Sequence, residues 1–269
     1  KAFTTAMALD SGHVSMNDSF DARKPIRIGG FTISDFHGKN RVLSVPEIFI
    51  YSSNIGTAKM ADVVGVDGHQ EFLTRLGLLS RMQTELPEVA TPSQPKKWKK
   101  INSVTISFGH GVSTTPLQTA VAAAALMNGG KLIPPSFVPR SREDADRVAT
   151  KVLSDQTSHS MRELMRMNVE KGSGRRAEVD GYWVGGKTGT VQNPHGKNHS
   201  AYIAFAPVED PQIAIAVVVE ESGYGATWAA PMAHLMIEKY LSHPDSASSL
   251  PWLEERMFNA NLIPDKYKN

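Results

Sequence analysis

The spacing of apolar residues predicts helices over much of the first two thirds of the chain. In residues 1–10, Phe3 and Met7 lie on one face of a helix that ends before Gly12. Residues 115–118 have a capping-box pattern, with Thr at the N-cap, Pro at the first helical position and Gln two positions later, and an alanine-rich run comes next. Further helices are predicted at residues 45–51, 55–64 (closed by Gly65), 71–76, 155–169 and 227–241.

Strand-forming segments are concentrated in the last third of the chain. Residues 201–206 and 212–219 are separated by a proline-containing turn, so an antiparallel hairpin is the simplest arrangement. Another strand is predicted at 182–191, and short strand-like segments lie near residues 26–33. The proline-containing segments without clear periodicity are predicted to be loops or edge strands, at 84–102 and 131–150.

The order of these elements and the composition together define the class of protein. Mixed elements, then helices, then strands and a last helix predict an α+β arrangement, an antiparallel sheet with helices on its faces. With 269 residues, 41 % hydrophobic and 21 % charged, the chain is typical of a globular protein. A net charge of +2 implies no polyanion partner, and no nucleic-acid-binding motif surrounds the basic run at 96–100.

Metal and thiol chemistry receive little support. The chain has no cysteine, which excludes disulfides, thiolate nucleophiles and cysteine-based metal sites. His195 and His199 have a spacing that could suit a metal, but no third ligand and no catalytic glutamate accompany them. No metal and no cofactor are therefore predicted, and His110, between two glycines, is expected to be structural.

The predicted strand at 182–191 carries chemistry as well as strand character. Lys187, Thr188 and Thr190 stand among glycines, which leave room for a backbone or a ligand to come close. Such a strand can attract a carboxylate with its ammonium group, bond it with its hydroxyls and offer an N–H to a developing oxyanion. Taken alone, the stretch could equally be an ordinary strand with a surface lysine.

Two further stretches place polar groups at helix starts. Lys1 opens the helix at 1–10, and a buried lysine with a lowered pKa can act as a general base toward a serine hydroxyl. Ser52-Ser53-Asn54 precedes the helix at 55–64, where serine and asparagine side chains can relay a proton and hold a substrate amide. An exposed terminal lysine and a simple helix cap are the alternatives.

Together these stretches resemble the transpeptidase domain of class B penicillin-binding proteins. Ser-x-x-Lys, Ser-x-Asn-like and Lys-Thr-Gly motifs are the signature of penicillin-binding proteins and class A β-lactamases. The resemblance covers residues 1–241; its first part is most similar to the division-specific penicillin-binding protein 3 type, and residues 193–231 to the elongation-specific penicillin-binding protein 2 type. The matching stretches are 1–6, 51–57, 107–111, 115–118 and 186–190.

The resemblance implies a fold and a set of roles. The fold would be the penicillin-binding, serine β-lactamase-like α+β fold, with a five-stranded antiparallel sheet flanked by helices and an additional all-helical region. Lys1 would be the general base, Ser52 the proton relay, and the Thr190 N–H half of the oxyanion hole. The implied catalytic residues are Lys1, Ser52, Asn54, Lys187 and Thr190. The implied substrate-binding residues are Ser53, Thr188, Gly189, Thr190 and Tyr224, with core or rim packing as the alternative for Tyr224.

The family's nucleophile is the serine three residues before the lysine of Ser-x-x-Lys. If Lys1 is that lysine, the serine lies before this chain, and the chain as given is expected to form no acyl-enzyme. Ser52 is not assigned as the nucleophile, because Asn54 beside it marks the second motif. The implied activity is a peptidoglycan D,D-transpeptidase; a D,D-carboxypeptidase or β-lactamase relative and a non-catalytic β-lactam sensor or division scaffold are the alternatives.

Partners, location and domain limits are also implied by the resemblance. The implied ligands are stem peptides ending in D-Ala-D-Ala and β-lactams, and the implied protein partners are a cell-wall glycosyltransferase and division or elongation proteins, with no nucleic acid. The expected location is the periplasmic face of the bacterial inner membrane, through an anchor before this chain. Residues 1–243 are predicted to be the transpeptidase domain without its N-terminal part, and 244–269 a linker, short helix and tail.

Overall fold

A computed structural model of the protein describes residues 1–193 and 195–242. The chain divides into two compact units, Lys1–Leu164 (unit 1) and Met165–Asn269 (unit 2), and each has hydrophobic clusters of its own. The predicted linker, short helix and tail at 244–269 lie outside the described residues, so the predicted domain limits stay a prediction.

Unit 1 is mainly helical, with three small two-stranded antiparallel sheets in which β1 pairs with β4, β2 with β3 and β5 with β6. Its elements in chain order are α1 (Ala2–Asp10), β1 (Ser19–Asp21), β2 (Ile26–Ile28), β3 (Phe31–Ile33), β4 (Val42–Ser44), α2 (Val45–Ile50), α3 (Asn54–Arg75), α4 (Lys100–Ser107), α5 (Pro116–Met127), β5 (Lys131–Leu132), α6 (Arg142–Val148), β6 (Thr150–Lys151) and α7 (Asp155–Lys171), whose last turns belong to unit 2.

The helices predicted from apolar spacing are confirmed, whereas two short helices were missed. α1, α2, α5 and α7 lie where the pattern places them. α4 begins inside the segment predicted as a loop at 84–102, and α6 lies inside the segment 131–150. α6 has no buried residue, so it carries no apolar periodicity from which to predict it.

Gly65 interrupts α3 as its position in the sequence predicts. Its backbone angles are φ 86° and ψ 172°, a conformation that favours glycine. The structure differs from the prediction on the C-terminal side of this glycine, because helical residues continue directly from Gly65 to Arg75. Two helical segments are therefore joined at a glycine, where a loop of several residues was expected.

The predicted capping box at α5 is half correct. The Thr115 hydroxyl accepts the Gln118 N–H at 3.1 Å. The Gln118 side chain does not return this bond, because its amide donates to the carbonyls of Gly77 (2.6 Å) and Ser80 (2.7 Å). Gln118 thus ties the segment after α3 to the start of α5.

Polar contacts at both ends of α1 help to place Lys1. The Thr4 hydroxyl donates to the carbonyl of Ser107 at 2.8 Å, which joins α1 to α4. At the other end, Asp10 accepts the Ser154 N–H at 2.9 Å and the Thr157 hydroxyl at 3.1 Å. α1 is therefore held at the start by α4 and at the end by the first turn of α7.

Unit 2 is built on a three-stranded antiparallel sheet with the order β7-β8-β9. The predicted β8–β9 hairpin and the α+β class are confirmed, but the sheet has three strands among the described residues where five were expected. The other strand-like segments are two or three residues long and pair locally in unit 1. The elements are a 3₁₀ helix (Arg175–Ala177), β7 (Gly185–Val191), β8 (His199–Ala206), β9 (Ile213–Val219) and α8 (Ala229–Ser242).

Candidate active site

β7 places its lysine and its threonines on opposite faces of the sheet. Successive strand residues alternate in direction, so Thr188 and Thr190 share one face and Lys187 points to the other. Lys187 is only 4 % exposed, and its Nζ lies 3.5 Å from the carbonyl oxygen of Thr188. Exposure rises along the strand, from buried Gly185 to exposed Thr190. β7 thus combines a buried cation with hydroxyls that a ligand can reach.

A polar cluster beside β7 supports the Lys-Thr-Gly motif, and the sequence interpretation missed it. The hydroxyls of Ser173 and Thr188 lie 2.6 Å apart. Fully buried Asn168, on α7, donates its side-chain amide to the carbonyl of Gly186 at 2.8 Å. The Gly-Ser-Gly sequence at 172–174 was the available signal, because glycines allow close backbone approach.

The two glycines at the start of β7 are required by close packing. A Cβ on Gly185 would collide with the ring of Phe205, and a Cβ on Gly186 would collide with the phenol of Tyr202. Burial raises the pKa of Tyr202, which stays protonated and donates its hydroxyl to the carbonyl of Gly174 at 3.3 Å. The backbone of β7 therefore lies directly against these two aromatic rings.

The segment after β9 lies over the exposed end of β7. The Gly225 N–H donates to the Thr190 hydroxyl oxygen at 3.3 Å, and Gly225 packs against the carbonyl of Gly189. Tyr224 beside it is 50 % exposed. The structure thus brings predicted residues Lys187, Thr188, Gly189, Thr190 and Tyr224 into one region of unit 2.

In unit 1, Ser52-Ser53-Asn54 forms a tight turn at the start of α3. Ser52 has φ +56°, a left-handed conformation that is uncommon for a residue other than glycine. The Asn54 side-chain amide donates to the carbonyl of Ser34 at 2.9 Å. Ser53 is 2 % exposed, and its hydroxyl accepts the Gly56 N–H at 2.9 Å. The predicted role of Ser53 in substrate binding finds no support in this buried position.

Asp35 organises this turn, and no sequence pattern had indicated it. One carboxylate oxygen accepts the Ser53 hydroxyl at 2.7 Å and the other accepts the Ile55 N–H at 2.9 Å. Asp35 also acts on Lys1. Burial lowers the pKa of Lys1 to about 8, and the negative charge of Asp35 opposes part of that shift. A lysine with this pKa is partly neutral near neutral pH and can accept a proton.

The described residues lack two other kinds of feature, a cluster of metal ligands and a membrane-spanning helix. No group of three or more His, Asp or Glu side chains could hold a metal ion there. Across residues 1–193 and 195–242, each helix is too short or too polar to span a bilayer.

The α+β fold with these motifs defines a domain of the penicillin-binding type. Residues 1–238 match the penicillin binding protein transpeptidase domain, and the chain belongs to that family. The resemblance seen in the sequence is therefore confirmed.

Similar proteins of known name support this membership. The chain is 40 % identical over 229 residues to the probable peptidoglycan D,D-transpeptidase FtsI of Caulobacter vibrioides, covering 78 % of this chain and 38 % of that protein. It is 34 % identical over 245 residues to the probable peptidoglycan D,D-transpeptidase PenA of Neisseria flavescens, covering 86 % and 60 %. The chain thus spans less than two thirds of the length of either protein.

A solved structure shows the same fold. The apo transpeptidase domain of Burkholderia pseudomallei penicillin-binding protein 3 superposes with a TM-score of 0.82 at 28 % sequence identity. The match covers 90 % of this chain and 77 % of the other. The described elements are therefore those of a penicillin-binding transpeptidase domain.

Proposed function

We propose that this chain is the acyl-transfer domain of a peptidoglycan D,D-transpeptidase. The observation that carries the proposal is β7, on which a buried Lys187 is followed by the hydroxyls of Thr188 and Thr190 on the opposite face. A cation and two hydroxyls are a suitable set for the terminal carboxylate of a peptide. Family membership and the names of the similar proteins support the same reaction.

The roles in unit 2 concern the acyl donor, a stem peptide ending in D-Ala-D-Ala. Thr188 and Thr190 bind its terminal carboxylate, Lys187 supplies the positive potential, and the Thr190 N–H stabilises the oxyanion. β7 pairs with β8 on one side, and within the described part of the chain no strand pairs with its other edge. That edge suits a peptide bound in extended form by main-chain hydrogen bonds. β-Lactams occupy the same place as mimics of the donor.

The roles in unit 1 concern proton transfer. Lys1, with its pKa lowered to about 8 by burial, accepts the proton of the attacking serine hydroxyl. Ser52 relays the proton and Asn54 binds the side-chain amide of the donor. In the family's motif the attacking serine lies three residues before the lysine. Its oxygen bonds to the carbonyl carbon of the penultimate D-Ala, the peptide bond to the terminal D-Ala breaks, and that D-Ala leaves with a proton on its amine. The acyl group then passes to a neighbouring stem amine, which frees the serine.

The setting of the reaction belongs to the proposal as well. Peptidoglycan lies outside the cytoplasm, so the domain works outside it, on the periplasmic face of the inner membrane. Division or elongation proteins and a cell-wall glycosyltransferase are the proposed partners. The names of the similar proteins, FtsI and PenA, support a role in cell-wall synthesis.

Acylation by a labelled penicillin tests the function. The full-length protein is expected to bind the label covalently. Lys1→Ala and Lys187→Ala should each slow acylation by about 100-fold or more, the usual scale for general-base and electrostatic groups. Lys24→Ala, at an exposed position, is the matched control and should react like the wild type. Absence of labelling, or equal labelling of all three variants, would contradict the proposal.

A second measurement separates transfer from hydrolysis. The full-length protein is incubated with a donor stem peptide ending in D-Ala-D-Ala and an acceptor stem peptide with a free amine, and the products are resolved by mass spectrometry. The proposal expects a cross-linked dimer of stem peptides. Release of the hydrolysed donor alone would indicate a D,D-carboxypeptidase instead.

A further inference from the structure

Three consecutive residues at the start of β8 bind three consecutive residues of the segment after β9. The carbonyl of Asn198 accepts the Gly223 N–H at 2.8 Å, and the hydroxyls of Ser200 and Ser222 lie 2.7 Å apart. Between these two contacts, Nδ1 of His199 accepts the Glu221 N–H at 3.1 Å. We call these three contacts the 198–200 clasp.

The clasp holds a segment with a left-handed residue. Glu221 has φ +49°, which costs free energy for a residue with a Cβ and persists only where neighbouring contacts hold it. The His199 ring accepts the N–H of this same residue. Loss of the ring as an acceptor therefore removes one direct contact of the left-handed residue.

The clasped segment leads to the proposed carboxylate-binding hydroxyl. Two residues after Gly223, the Gly225 N–H donates to Thr190 Oγ at 3.3 Å. That bond occupies a lone pair of the hydroxyl oxygen and leaves its proton free to point toward a ligand. A displaced segment would lose this orientation of Thr190.

The His199 contact requires one protonation state of the ring. A backbone N–H can only donate, so Nδ1 must carry no proton. Protonated imidazole has a proton on both nitrogens and cannot accept, and histidine is the side chain that changes charge between about pH 5 and 8. The titratable and charged groups on the neighbouring segments are Glu220 and Glu221 after β9 and His195 and Lys197 before β8. The residue paired with His199 on β7, Val191, does not titrate.

We propose that His199 is a positioning residue for Thr190, acting through residues 221–225, and that protonation of its imidazole loosens this segment and slows acylation in acid. The inference rests on the proposed function for its catalytic consequence, because Thr190 is the hydroxyl that binds the donor carboxylate there. The clasp itself rests only on the contacts within unit 2.

Two variants distinguish the role of His199 as a hydrogen-bond acceptor from the effect of its charge. His199→Asn places a carbonyl oxygen near the position of Nδ1 and does not titrate, whereas His199→Leu is apolar and has no acceptor. The rate of acylation of the full-length protein by a labelled penicillin is measured at several values between about pH 5 and 8. Dividing the acylation rate of each variant by that of the wild type at the same pH removes the effect of the Lys1 titration, because all three proteins contain Lys1.

The expected ratios change with pH. Near the top of the range, wild type and His199→Asn should react equally and His199→Leu about two- to fivefold more slowly, as for loss of one exposed hydrogen bond. Near the bottom, wild type should approach His199→Leu while His199→Asn reacts faster than both. Ratios that stay constant across the range would overturn the proposal.

Hydrogen exchange tests the clasp without the reaction. The amides of Gly223 and Gly225 should exchange faster in His199→Leu than in wild type at the upper pH, and at the wild-type rate in His199→Asn. Equal exchange in all three proteins would refute the clasp. If the wild type is not acylated at any pH, the proposed function fails, and this exchange measurement still decides whether His199 holds the segment.

Discussion

The hydroxyl of Ser53 donates to the carboxylate of Asp35 at 2.7 Å and is almost wholly buried. The same carboxylate accepts the Ile55 N–H at 2.9 Å, so one side chain bonds to the middle of the Ser-Ser-Asn turn and to the residue that follows the turn. Its charge also raises the pKa of Lys1 against the effect of burial. Asp35 thus couples the shape of the proposed relay turn to the protonation of the proposed base.

Asp35→Asn should move the acid limb of the acylation profile to lower pH. The neutral amine of Lys1 is the reactive form, and loss of the carboxylate charge removes an interaction that favours the ammonium form, so the pKa falls further below about 8. The acylation rate of the full-length protein between about pH 6 and 10 measures this shift.

The same variant should also be less stable, by about 1–3 kcal/mol, because the amide cannot accept both hydrogen bonds with its single oxygen. Asp67→Asn, an exposed position on α3, is the control for both measurements. An acid limb that stays in place, with stability equal to that of the control, would show that Asp35 has neither effect.

Thr188→Val should slow acylation while the shape of the side chain is kept. If the hydroxyl donates to a carboxylate, its loss should lower the rate by about 10- to 100-fold, the scale of a hydrogen bond to a charged group. Ser173→Ala, which removes the neighbouring hydroxyl at 2.6 Å, should have a smaller effect. Thr150→Val, at an exposed position, serves as the control, and a Thr188→Val rate equal to that control would count against the carboxylate role.

Gly225→Ala should destabilise the protein and slow acylation together. A Cβ there would collide with the carbonyl oxygens of Gly189 and Ala201, which are backbone atoms and cannot move aside cheaply. We expect a loss of about 1–3 kcal/mol in the free energy of unfolding, measured in urea. Gly38→Ala, where the nearest atoms lie at ordinary contact distance, should change it by less than about 0.5 kcal/mol. Equal stability of the two variants would refute the close packing.

Asp10→Ala should destabilise unit 1. The Asp10 side chain is 9 % exposed and accepts bonds from Ser154 and Thr157 at the first turn of α7. Removing it leaves these donors without their acceptor, at a cost of about 1–3 kcal/mol. Urea unfolding compared with Asp67→Ala, at an exposed position, measures the difference, and a difference within about 0.5 kcal/mol would mean that the bonds contribute little.

The helix starts were predictable because their signals are local. Thr115 caps α5 with the N–H of Gln118 three residues on, as its sequence pattern predicts. The predicted second bond of the capping box, from the Gln118 side chain back to the start of the helix, is not formed. The Gln118 amide instead donates to carbonyls about 40 residues earlier in the chain. A capping pattern cannot reveal that a distant carbonyl competes for the same side chain.

The polar supports of the site could not be predicted from short motifs. Lys187, Thr188 and Thr190 were found in one continuous stretch, whereas Asp35 and Ser53 are 18 residues apart. Ser173 precedes Thr188 by 15 residues. Asp35 does not differ in sequence context from an ordinary loop residue, and the glycines beside Ser173 indicate only a close backbone approach. The role of each residue depends on which chain segment folds beside it.

Local sequence was enough to specify the α+β class, the order of the main elements and the Lys-Thr-Gly-Thr motif, because periodicity, caps and motifs are set by residues a few positions apart. Only the folded chain shows that Lys1 is buried with a lowered pKa, that Ser53 faces Asp35, and that His199 holds a segment 22 residues away. Desolvation and long-range hydrogen bonds exist only once distant segments pack together, and their strength depends on distances that no local pattern contains.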